Sequence, residues 1–108
     1  MEKDFQVSSL IGFFNASKNL NYRKRALERF SIWVRYFQQN GLLSRTILED
    51  NQEPNWEMKV MRSDFTDEGF ELYKQASLKW SGGHDRGKPI SDTKIFDKYL
   101  KKIRDTAP

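Results

Sequence analysis

The residues best placed to do chemistry by type and spacing are Gly82-Gly-His-Asp-Arg-Gly87-Lys88, which fit the G-x-x-x-x-G-K pattern of a phosphate-cradling loop. That chemistry needs a buried strand before the loop, a helix after it, and a hydroxyl after the lysine to hold Mg²⁺. Here a helical pattern precedes and Pro89 follows, so no nucleotide site is expected. Gly82, His84, Arg86 and Lys88 read instead as a turn-rich loop open to an anion or a partner. Ser8-Ser9 has no base at a spacing that would activate a hydroxyl, and Asp64, Asp67 and Glu68 are explained by helix capping. No catalytic residue is assigned, and the chain reads as a non-enzyme. The absence of cysteine excludes disulfides and thiolate metal sites, and the single His84 builds no histidine cluster; a carboxylate-only site for Mg²⁺ or Ca²⁺ stays open in principle, but no metal or cofactor is assigned.

Charge is the second chemical resource, and it is unevenly placed. Residues 21–45 carry Arg23, Lys24, Arg25, Arg29, Arg35 and Arg45 against Glu28 alone, a net +5. Residues 46–58 hold Glu49, Asp50, Glu53 and Glu57 and no base, a net −4, and residues 81–108 have seven bases against four acids. A basic element beside an acidic one steers a polyanion to one face and away from another.

The elements that position these groups follow from periodicity. The 108 residues suit one domain spanning 1–108, with a core rich in eight Phe, four Tyr and three Trp. Val7, Leu10, Ile11 and Phe14 place a first helix within 5–17. Ala26, Leu27, Phe30, Trp33, Val34 and Phe37 place a second over about 22–39, capped by Asn19 or Asn21 and stopped by Asn40-Gly41. Residues 44–49 and 56–61 read as a β-hairpin with Pro54 in its connection. Thr66 then caps a third helix, with Phe65 and Phe70 as a hydrophobic staple, and this helix is expected to end near Trp80. Ser91 or Asp92 starts a fourth, striped by Ile95, Phe96, Tyr99, Leu100 and Ile103, whose Lys101, Lys102 and Arg104 suit the C-terminal dipole. The expected class is α+β: four helices and one two-stranded hairpin, in the order ααββαα.

Gly41-Leu-Leu-Ser-Arg45, the hairpin, and Phe65-Thr-Asp-Glu-Gly69 followed by Leu72 resemble the wing region of the MarR and PadR winged-helix regulators of bacteria, over about residues 33–73. The resemblance implies a cytoplasmic, dimeric transcriptional regulator whose helix before the wing enters duplex DNA, with Arg23, Lys24, Arg25, Arg29 and Arg35 as contacts and Arg45 at the wing base. The wing tip, residues 50–55, differs from that pattern in having two acids and no base. The competing expectation is a protein-interaction module, an immunity, antitoxin or phage accessory protein, that meets its partner through the acidic wing and through Ile32, Tyr36 and Trp56. No run of apolar residues is long enough for a membrane span.

Overall fold

The computed structural model describes residues 4–89 and 91–106. Its elements run β1 (Gln6–Ser9), α1 (Leu10–Ala16), α2 (Leu20–Gln39), β2 (Lys59–Met61), a 3₁₀ turn (Arg62–Asp64), α3 (Asp67–Asp85) and α4 (Lys94–Thr106). The class is α+β, with four helices and one two-stranded antiparallel sheet among the described residues. The order is βααβαα, which corrects the expected ααββαα.

The long helix α2 is the spine. The Asn19 side chain accepts the Asn21 and Tyr22 N–H groups at its start. At its end the Leu42 N–H donates to the Phe37 carbonyl at 2.9 Å and the Gly41 N–H to that of Gln38 at 3.2 Å, the paired bonds of a Schellman stop. Its apolar stripe buries Phe30, Trp33, Val34 and Phe37. Phe37 meets Phe65, Tyr73 and Phe96 edge-on at 5.9, 6.3 and 5.5 Å between ring centroids, so three later segments converge on one helix face.

The sheet differs from the expected hairpin in its pairing. β2 lies against β1, with Gln6 opposite Met61 and Ser9 opposite Lys59, and a register shift between Gln6 and Ser8. Residues 44–49 form no strand because their backbone groups are taken elsewhere. Gln38 Oε1 accepts the Ile47 and Leu48 N–H groups, both at 2.8 Å, and Gln38 Nε2 donates to the Leu48 carbonyl at 2.9 Å. Ile47 and Leu48 are both buried, a pairing of neighbours that strand alternation forbids. An isolated antiparallel bridge joins Leu43 to Phe65, just outside the two expected strands. β1 likewise replaces the first turn and more of the expected helix at 5–17.

The third helix begins as expected and ends later. Thr66 Oγ1 accepts the Gly69 N–H at 3.0 Å, and the Phe65 and Phe70 rings lie 5.9 Å apart. Gly69 sits against the Leu42 carbonyl so closely that an added Cβ would lie 2.0 Å from its oxygen, so the start of α3 docks on the end of α2 only without a side chain there. The helix then runs past Trp80 through Gly82-Gly83 to Asp85. Its stop is a second Schellman motif: the Lys88 N–H donates to the Gly83 carbonyl and the Gly87 N–H to that of His84, both at 3.0 Å, with Gly87 at φ +99°. Gly82 and Gly83 are thus interior, and Gly87 is the terminator. In α4, Phe96 and Leu100 are buried, and the Phe96 ring packs 5.2 Å from both Tyr36 and Trp80. Among the described residues, no helix is long and apolar enough to cross a membrane.

Candidate functional site

The arginines of α2 are held by the chain itself. Arg23 donates to the Ser17 and Phe14 carbonyls at 2.9 and 3.0 Å and stacks its guanidinium 3.6 Å from the Phe14 ring centroid. Arg25 and Arg29 converge on Asp85, the first at 2.7 Å, and Arg29 also donates to His84 Nδ1 at 2.9 Å. Arg35 reaches the acidic loop and donates to the Gln52 carbonyl at 2.6 Å. Arg45 pairs with the buried Asp64 at 2.5 Å. Lys24 is exposed beside Glu28, Ile32 and Glu53, around a shallow recess.

The two carboxylates that take these arginines are tuned accordingly. Hydrogen bonding from Arg29 holds the Asp85 carboxyl below its usual pKa. Burial alone would raise Asp64, but Arg45 and the Met61 N–H outweigh that and hold it low.

The expected partner-binding residues also face inward. Tyr36 is buried and gives its hydroxyl to Asp97, and burial followed by that bond raises its pKa. Trp56 packs 5.0 Å from the Phe14 ring, and Ile32 is partly buried against the core.

Positive charge without an ion-pair partner among the described residues lies on α3, on the turn after it and on α4. The Nζ atoms of Lys79, Lys98 and Lys102 stand 4.8, 6.0 and 5.4 Å from the Tyr99 ring centroid, and Lys79 also bonds the Tyr99 hydroxyl. That bond, followed by the fields of the lysines, lowers the Tyr99 pKa. On the other side of Lys79, Lys88 and Lys94 line a recess of about 100 Å³ with Trp80, Gly83, His84 and Asp92. All five lysines are exposed. Among the described residues none of the five forms an ion pair, and the one lysine that does is Lys74, with Glu71 at 3.1 Å.

The placement has a local cost. Lys94, Lys98 and Lys102 recur every four residues, and like charges at that spacing destabilise a helix by a few tenths of a kcal/mol per pair, roughly 0.2–0.5. Lys94 opens α4, where the helix dipole disfavours a cation. Favourable dipole placement accounts for Arg104, the base in the last turn of α4, but not for the lysines before it, Lys101 and Lys102 included.

Sequence reasoning passed over this face because its lysines are divided between a helix read as ending early and a helix end read as dipole-matched. The excess of bases over residues 81–108 was the available signal. Compared with known proteins, the chain matches no family model, no curated protein and no solved structure.

Proposed function

We propose that this chain binds nucleic acid through the phosphate backbone, using the lysine face of α3 and α4 as the contact surface. The observation that carries the reading is the row Lys88, Lys94, Lys79, Lys98 and Lys102, gathered on one side with no ion-pair partner among the described residues. Successive lysines at i and i+4 on a helix are about 6 Å apart along its axis, so the row offers a ladder of point charges to a phosphate strand. Such contacts neutralise phosphates and release counterions, and they hold without reading bases. The apolar side of α4, with Phe96 and Leu100, is turned into the core, so the helix has nothing to insert into a bilayer. That favours nucleic acid over an anionic membrane.

Within this reading the winged-helix resemblance contributes its helix exit at Gly41 and its helix start at Thr66. In this reading the long helix α2 is not the contact surface: Arg23 and Arg35 donate to backbone carbonyls, and Arg25 and Arg29 are drawn onto Asp85 at the end of α3.

The test is a salt titration of a labelled random duplex of 20 base pairs. Five phosphate contacts give a log–log slope of about −4.5, and the triple variant K79Q/K98Q/K102Q should bring it to about −1.8. Phosphatidylserine vesicles and a single strand of equal length, run in parallel, distinguish membrane, duplex and single-strand binding. A slope unchanged in the triple variant, or binding to vesicles alone, overturns the reading. Loss of binding only when Arg23, Lys24 and Arg25 are neutralised would return the contact to α2.

A further inference from the structure

A groove of about 460 Å³ opens between α2 and the second half of α3, sharing Trp80 with the Lys88–Lys94 recess but different in chemistry from the lysine face. Phe13, Tyr22 and Leu78 stand at its rim, 41%, 38% and 83% exposed, while Phe30, Trp33 and Trp80 form its inner wall. Its floor is polar, since the Tyr73 phenol lies beside the Ser8 and Ser77 hydroxyls. At one end stand Arg25, Arg29 and Asp85. Two guanidiniums share that one carboxylate, so the end keeps a net positive charge after its internal pairing. Asp85 and Arg25 are about half exposed, which leaves the pair open to exchange with an incoming acid.

A guanidinium pair next to exposed aromatic and aliphatic side chains suits an anion attached to an apolar body. Leu78 lines the rim and is 83% exposed, so covering it takes a ligand that extends out of the groove. A polypeptide segment would cover it. The chain's own acidic loop does not supply that segment: Glu49, Asp50, Glu53 and Glu57 are exposed, but Ile47 and Leu48 are buried and Trp56 is packed on Phe14.

We infer that the groove between α2 and α3 docks a segment of a different protein that presents an aromatic or aliphatic side chain beside a carboxylate, with Arg25 and Arg29 receiving the carboxylate in place of Asp85. This is a second binding surface, independent of the nucleic-acid reading. Asp85 is then an internal competitor, so removing its charge strengthens docking of an acidic segment and leaves a neutral one unaffected.

The test pans a phage-displayed library of random twelve-residue peptides on the full chain and measures the winners by fluorescence anisotropy. Enriched peptides should pair Asp or Glu with Trp, Phe or Leu. The variant R25Q/R29Q should weaken them about tenfold, and the same peptides with Asn or Gln for the acid should lose that sensitivity. D85N should tighten the acidic peptides severalfold. L78E, at a position so exposed that the fold does not depend on it, should weaken every winner; it keeps the test decisive if the double arginine variant fails to fold. Winners that lack an acid, that bind R25Q/R29Q and L78E as well as the parent, or that bind D85N more weakly overturn the inference. A concentration-dependent mass in solution that L78E abolishes would assign the groove to a second copy and overturn it likewise.

Discussion

The arginines and the lysines of this protein carry the same formal charge and do different work. Seven of the eight arginines hydrogen-bond within the chain, to backbone carbonyls, to His84 or to carboxylates. Lys79, Lys98 and Lys102 remain in solvent around Tyr99, and Lys88 and Lys94 along their recess. The difference follows from shape. A planar guanidinium with five donors bridges two carbonyls or forks onto a carboxylate, whereas an ammonium is a strongly hydrated point charge that gains little from being held. Net charge along a stretch of sequence therefore overstates what that stretch offers a polyanion whenever its bases are arginines with carbonyls in reach.

Substitutions at three positions separate the two regions, and the largest effect should come from the arginine side. Asp64 is buried, receives Arg45 and accepts the Met61 N–H at 2.8 Å. Asp64→Ala leaves that N–H and the guanidinium without their acceptor and should cost about 2–3 kcal/mol, read from the urea midpoint. The same group gives the comparison a pH signature. Its folded pKa lies below the unfolded value of about 3.9, so its contribution is fully present above that pH and is lost as pH falls through the folded pKa. Asp64→Asn should flatten the acid limb of a stability profile, and an unaltered limb would remove Asp64 from the account.

A smaller loss is expected at Arg35, which ties α2 to the loop at Gln52. Arg35→Ala should cost about 1–2 kcal/mol by chemical denaturation and raise proteolysis within residues 49–55. If Arg35 were only a solvated helix charge, neither would change.

The smallest effect, and the opposite sign, belongs to the lysines. Lys98→Gln removes a like-charge neighbour of both Lys94 and Lys102 and should leave stability unchanged or raise it by a few tenths of a kcal/mol, about 0.2–0.5, in the same assay. A loss above about 1 kcal/mol would mean that the Lys98 ammonium is structural, and the contrast between the two regions would fail there.

Much of the fold was legible because it is written in short-range chemistry. The Asn19 cap, the stop at Asn40-Gly41, the Thr66 cap and the Phe65–Phe70 staple each depend on residues within five positions, and each appears where the pattern places it. The candidate site was less legible. Its lysines come from α3, from the turn after it and from α4, and no local pattern says that Lys79 and Lys102 share a face around Tyr99. The interior placement of Gly82-Gly83 was hidden for a related reason: two adjacent glycines read as a break, and only the bonds onto Gly83 and His84 show that Gly87 ends the helix.

By itself, then, the sequence determined where α2 and α3 start, which helix faces are apolar, and that the class is α+β. Tertiary structure alone decided which strand β2 pairs with and where each charge is spent. Gln38 takes the backbone of Ile47 and Leu48, so the segment that alternation pairs with β2 is unavailable, and residues 6–9 fill its place. A backbone donor or a guanidinium takes whichever acceptor the folded chain brings within about 3 Å, and that neighbour can lie sixty residues away, as Asp85 does from Arg25.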